Sequence, residues 1–260
     1  MPDDAGFQRV QPISDLREEM AKRLIVALDV PNVDRAEELV EQLSGTVSFF
    51  KVGLWLQYEK GVDRLLTRII DSGNRLFLDA KMFDVPNTVA QAVKSAVIRH
   101  ASFVTVHGDE NIMRAAVKAK GDSDLKIFAI TVLTSLDNAA LYDMGYRLKA
   151  KSLVLLRTRK AVECGCDGVI ASANDDPDRI RTLAGNTDLL IATPGIRPEG
   201  SPLGNQKRVA TPKEAIENGA DYLVVGSPIV GQKDPRAAAE RIIDQMMEAR
   251  PRRQRTARCQ

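Results

Sequence analysis

Leu76–Thr88 reads LFLDAKMFDVPNT. A short apolar run ends in Asp79, Lys81 and Asp84, and Pro86-Asn87-Thr88 then opens a helix. On a strand, residues two apart share a face. Phe77, Asp79 and Lys81 therefore point one way, and Leu76, Leu78 and Ala80 the other. Charges seldom stand at the end of a core strand unless they are paired, because desolvating a lone one costs several kcal/mol. A lone D-x-K reads as a structural ion pair. Two acids bracketing a lysine just ahead of a helix start read instead as a group that presents an ammonium and negative charge to a bound substrate.

Apolar runs of strand length recur on both sides of this stretch. The pattern predicts strands over 24–30, 47–52, 75–81, 103–107, 126–133, 168–172, 189–193 and 222–226. Helical periodicity fills the gaps. Over 32–43 it places Val33, Ala36, Leu39, Val40 and Leu43 on one face. Longer helices are expected over 55–71 and 139–164, the second interrupted near Gly145. A short one is expected over 13–22 with Ser14 as its cap, and another over 211–218 with Thr211 as cap and Pro212 at its first position. Eight strands alternating with helices predict an α/β chain, a single-domain (β/α)8 barrel, with a doubly wound open sheet as the alternative. Asp29, Lys51, Asp79, Lys81, His107, Thr134 and Ser135 all fall at the carboxyl ends of apolar runs. A barrel gathers those ends at one face, where its active site lies, and this favours the barrel. Residues 1–22 are then an N-terminal arm with a short helix, 23–249 the barrel, and 250–260 a disordered tail.

The composition fits this division. The chain has 260 residues, 44% hydrophobic and 28% charged, enough for a sizeable core. Five of its 37 basic residues are arginines within 250–260, a span with no acid. The rest carries 32 bases against 35 acids, a net charge of −3, with no nucleic-acid signature. The polar start MPDDAG is no signal peptide, and no apolar run approaches a membrane span, so a cytoplasmic location is expected. Three cysteines give no disulfide framework. Cys164 and Cys166 read as small buried apolar residues rather than half a zinc site.

If the strand ends form the site, Lys51, Asp79, Lys81 and Asp84 alternate in sign around one point. A lysine there can donate a proton to a developing carbanion and stabilise it electrostatically, and Asp79 beside a substrate anion favours any reaction that removes that anion. The stretch 193–208 (TPGIRPEGSPLGNQKR) supplies Arg197, Gln206, Lys207 and Arg208, and Gly226-Ser227 follows the eighth strand. Loops after the last two strands of such barrels often bind phosphate through backbone N–H groups. An ordinary surface loop is the plainer reading for Lys207 and Arg208, less so for a loop of this length. His107 reads as a hydrogen-bonded structural residue. Asp79, Asp84 and Asp109 make a poor Mg2+ site, because the lysines compete for their carboxylates. No metal site is expected.

In these residues the chain resembles the orotidine 5′-phosphate decarboxylase family. LDAKMFDVPNT is similar to the family's D-x-K-x-x-D-[IV]-P-x-T signature, and ALD, FKVG, LTS, TPGIRP and GNQKR look like family segments in family order, over about 23–235. The resemblance implies a barrel that converts orotidine 5′-phosphate to UMP and CO2 without metal or organic cofactor. It implies that Asp29 binds ribose, Lys51 contacts ribose within the charged network, Asp79 faces the substrate carboxylate and Lys81 protonates C6. It further implies that Asp84 and Thr88 reach the neighbouring site of a homodimer and that Ser135 meets the pyrimidine. Pro194–Arg208 would close over the ligand, with Gln206 bridging base and phosphate and Arg197 contacting phosphate. One departure stands out. The family's strand-eight G-R-[PS]-I is here Gly226-Ser227-Pro228-Ile229. A serine cannot replace a bidentate arginine in charge, which leaves the phosphate to the N–H groups of Gly226 and Ser227 with help from nearby cations. His107-Gly108-Asp109-Glu110 is a second departure from the family's H-A-x-G. Two other readings stand beside the first: a sugar-phosphate relative using Mg2+, and a catalytically impaired nucleotide-binding homologue supported by Ser227.

Overall fold

The computed structural model describes residues 13–199 and 209–249. The expected arm over 1–12, the loop positions Gln206, Lys207 and Arg208, and the tail 250–260 lie outside the described residues. The strands are β1 (Leu24–Ala27), β2 (Phe49–Gly53), β3 (Arg75–Met82), β4 (Phe103–His107), β5 (Lys126–Ile130), β6 (Gly168–Ile170), β7 (Leu190–Thr193) and β8 (Tyr222–Val225). They pair in sequence order, all parallel, and β8 returns to β1, so the sheet closes into a barrel. The open sheet is thereby excluded.

The helices wrap this barrel. They are α1 (Ile13–Arg23), α2 (Val33–Leu43), α3 (Leu54–Gln57), α4 (Val62–Asp71), α5 (Pro86–Ile98), α6 (Glu110–Lys120), α7 (Asn138–Asp143), α8 (Ala150–Glu163), α9 (Pro177–Ala184), α10 (Pro212–Glu217), α11 (Ser227–Val230) and α12 (Pro235–Met247). The five residues expected on the inner face of α2 are all buried. Thr211 caps α10 in a capping box with Glu214. Two expectations need correction. The segment 55–71 is two helices, parted at Gly61 with φ of +86°, whereas 139–164 is interrupted around Gly145, with φ of +85°, as expected. That left-handed backbone cannot continue a right-handed helix. Ser14 does not cap α1 but lies inside it, donating to Asp15 Oδ1 at 3.2 Å.

Two apolar layers result from the strand alternation. Inside the barrel, Phe49, Phe77, Phe103 and Phe128 come from four adjacent strands and meet Ile25, Ala27, Ala192 and Val224. Phe103 is the hub, 4.8 Å from Phe49 and 4.5 Å from Phe128 between ring centroids. Gly168 makes room for this floor, since a Cβ there would sit 2.5 Å from the Phe128 ring. Arg75 lies 4.1 Å from the centre of the Phe49 ring. The outward residues of the same strands pack on the helices. Above this aromatic floor, the inward charges Lys51, Asp79 and Lys81 stand at the carboxyl end, while Arg75 closes the floor from the amino end. Cys164 and Cys166 are free and buried as expected, and burial pushes the Cys166 thiol up to about 12.

Candidate active site

At the carboxyl end of the barrel, four charges form a row of alternating sign. Lys51 Nζ lies 3.2 Å from Asp29 Oδ1 and 3.2 Å from Asp79 Oδ2, and Lys81 Nζ lies 2.7 Å from that same Asp79 oxygen. Gly53 keeps the space beside the row open, because a Cβ there would meet Asp29 Oδ1 at 2.9 Å. Lys51 and Asp79 are buried, whereas the side chain of Lys81 is 40% exposed. Burial is the largest influence on both buried groups and opposes their charges. The attraction of Asp79 and Asp29 nevertheless raises Lys51 above its ordinary value, and Lys51 and Lys81 hold Asp79 below the usual carboxylate range. Both shifts favour the charged forms of Lys51 and Asp79, which compensate each other.

The acid that ends the row is Asp29, not Asp84. The Asp84 side chain is exposed and accepts from the Val85 backbone N–H at 2.7 Å, where the chain turns into α5. Thr88, in the first turn of α5, is exposed too. Within one chain, neither joins the other predicted residues. Asp29, Lys51, Asp79, Lys81, Ser135, Pro194, Arg197, Gly226 and Ser227 all line one cavity of about 440 Å³, large enough for a small-molecule ligand. Arg197 leans on this cavity from the seventh connection. Its Nη1 donates to the Ile196 carbonyl, while its buried Nε has no partner among the described residues. A guanidinium with an unused donor at a cavity wall suits an anionic ligand.

The backbone at Lys81 is unusual. Its φ is +48°, in the left-handed region that L-residues seldom occupy, and the β3–β4 register shifts between Leu78 and Met82. Thr105 on β4 fills this irregularity. Its hydroxyl accepts from Lys81 N at 2.9 Å and donates to Asp79 Oδ1 at 2.8 Å. Sequence reasoning passed over Thr105. The available signal was a hydroxyl in phase with inward-facing Phe103 inside FVTVH, and threonine is also an ordinary strand former.

His107 does not line the cavity. Its ring packs 4.3 Å from that of Phe83, and Arg157 Nη2 lies 3.5 Å from its Nε2. Burial, then the Arg157 charge, lowers its pKa, consistent with a structural imidazole. The neighbouring Gly108 has a steric reason. A Cβ there would stand 2.6 Å from the Ile130 carbonyl oxygen and 3.1 Å from Arg157 Cδ. Arg157 passes through that gap to donate to the Thr131 carbonyl and to Tyr146 Oη. Asp109 caps α6, and Glu110 pairs with Arg114 and Lys160. Among the described residues, no group of three or more His, Cys, Asp or Glu is placed to hold a metal ion, and no helix is long and apolar enough to cross a membrane.

Known proteins are similar to this chain over nearly its whole length. A family model described as "Orotidine 5′-phosphate decarboxylase / HUMPS family" matches residues 22–242. Orotidine 5′-phosphate decarboxylase of Rhodopseudomonas palustris (strain HaA2) is 45% identical over 228 residues, 88% of this chain and 96% of that protein. Its counterpart in Nitrobacter winogradskyi is 46% identical over 236 residues, 91% of this chain and 96% of that protein. The crystal structure of orotidine 5′-phosphate decarboxylase from Lactobacillus acidophilus superposes with a TM-score of 0.75 at 33% identity, covering 86% of this chain and 99% of that one. The family model and these relatives cover nearly the whole barrel, and the chain belongs to the orotidine 5′-phosphate decarboxylase family.

Proposed function

We propose that this chain is a cytoplasmic carboxy-lyase that converts orotidine 5′-phosphate to UMP and CO2. The observation that carries the reading is the Asp29–Lys51–Asp79–Lys81 row on the wall of one cavity. Asp79 faces the substrate carboxylate. The bond from C6 to that carboxylate breaks and its electron pair stays on C6. Lys81 Nζ stabilises this carbanion and then passes it a proton, giving UMP, and the amine recovers a proton from solvent. Asp29 and Lys51 hold the ribose hydroxyls, and Ser135 meets the pyrimidine. Arg197 and the N–H groups of Gly226 and Ser227 hold the phosphate, and Gln206 bridges base and phosphate from the covering loop. The chemistry is assigned to side chains alone, without metal or cofactor. The test follows orotidine 5′-phosphate by ultraviolet absorbance, with and without EDTA. Saturable conversion to UMP in both is expected, and no conversion by folded protein overturns the reading.

The exposed positions of Asp84 and Thr88 fit a site completed by a second copy of the chain. Trp55 and Tyr58 after β2, and Phe83 and Val85 after β3, are exposed apolar side chains in the neighbouring connections. In a homodimer, Asp84 and Thr88 of each subunit would serve the partner's site. Mixing inactive Lys81→Ala and Asp84→Ala proteins should then restore up to about a quarter of wild-type activity, because half the dimers are hybrids with one whole site each. No recovery after subunit exchange would place Asp84 in its own subunit's site.

Ser227 gives a further check on the phosphate end. Ser227→Arg adds a guanidinium at an exposed position on the cavity wall. We expect UMP to bind about tenfold more tightly by calorimetry, as a charge-assisted contact provides. Equal or weaker binding would show that other groups already satisfy the phosphate.

A further inference from the structure

The inner strands carry a hydroxyl that the proposed chemistry does not use. Along β3 and β4 the register runs Phe77 to Phe103 and Leu78 to Val104, then jumps to Met82 opposite Val106. Asp79, Ala80 and Lys81 therefore face the single residue Thr105. A bulge of this kind leaves backbone donors without a ladder carbonyl. Thr105 Oγ1 accepts the Lys81 N–H and donates to Asp79 Oδ1. We propose that Thr105 is a positioning residue: its one hydroxyl anchors the strained Lys81 backbone and fixes which oxygen of Asp79 is left for the two lysines.

The direction of these bonds is forced. An amide N–H only donates, so the hydroxyl must accept there, and its single proton is free for the carboxylate. Oδ1 takes the Thr105 proton, and Oδ2 is the oxygen that lies 3.2 Å from Lys51 Nζ and 2.7 Å from Lys81 Nζ. Thr105 is fully buried, so solvent does not substitute for it. Its branched side chain is stiff about χ1, which holds the hydroxyl in place. A left-handed non-glycine residue persists only where its surroundings over-determine it. At Lys81 the hydroxyl is one such constraint, at the base of the side chain that delivers the proton.

This role rests on the decarboxylase reading, and its test separates the two. Thr105→Val keeps the shape and removes the hydroxyl. We expect kcat to fall about 10- to 100-fold, the loss that a small misplacement of reacting groups brings. KM for orotidine 5′-phosphate and the inhibition constant of UMP should change less than about threefold, because ground-state contacts remain. Thr105→Ser should return kcat to within about threefold of wild type. A crystal structure of Thr105→Val should show the Asp79 carboxylate turned from its present orientation. Wild-type kcat in the valine variant, or a loss that serine does not restore, overturns the proposal. If the valine variant does not fold, Thr105→Ala against Thr105→Ser makes the same comparison. A wild-type protein that leaves orotidine 5′-phosphate unchanged overturns the decarboxylase reading alone, and the Asp79 orientation in the variant crystal still decides the positioning role.

Discussion

Lys81→Ala should lower turnover of orotidine 5′-phosphate by about 10³-fold or more while the barrel stays folded. The size follows from two losses at one atom. A placed proton donor contributes about 10²- to 10⁴-fold, and removing a preorganised charge from a developing anion adds a comparable factor. The fold should survive because the Lys81 side chain is 40% exposed and Lys51 still compensates Asp79. Circular dichroism and binding of UMP check the fold, and single-turnover assays check the chemistry. A variant that keeps a tenth of wild-type activity would remove Lys81 from the proton-transfer step.

Asp79→Asn should be costly twice, in activity and in stability. The carboxylate links Lys51 to Lys81, and Lys51 is buried with it. Removing it leaves the buried Lys51 with only the half-exposed Asp29 as a counter-charge, so the loss approaches but does not exceed the about 3–5 kcal/mol of a fully stranded charge. The pH dependence has a definite sign. Asp79 titrates below its ordinary 3.8, so its contribution is full above that pH and is lost as pH falls through the lower folded value. Lys51 titrates above its ordinary 10.5, so its contribution is full below that pH and is lost as pH rises through the higher folded value. The gap in urea stability between wild type and variant should therefore be widest from about pH 4 to pH 10 and close on either side. A gap under about 1 kcal/mol at neutral pH would mean that the pair barely repays its own desolvation.

Strand order and three members of the charged row, Lys51, Asp79 and Lys81, are legible in the sequence for one physical reason. Strands buried on both faces appear as continuous apolar runs, and a charge that ends such a run is conspicuous. β4 was placed to the residue. β1 and β5 were drawn too long because Leu28, Val30 and Val132 remain buried after the ladder has ended. Burial marks the core, whereas pairing marks the strand, and a sequence displays only the first. What escaped notice depends on contacts distant in sequence. Thr105 matters through a register shift in its neighbour, and Gly108 through the passage of Arg157 over Ile130. Asp84 could be picked out as a charge, but its direction depends on how the chain leaves β3.

Trp55 is the one indole in 260 residues. It stands on α3 at the rim, 58% exposed, with Nε1 donating to the Val30 carbonyl at 3.1 Å. Excited where the indole alone absorbs, the protein emits from the mouth of the barrel, while the phenylalanine floor and its neighbour Tyr222 stay silent. Fluorescence will register events at the rim, subunit contact among them. Melting of the interior has to be followed by another signal.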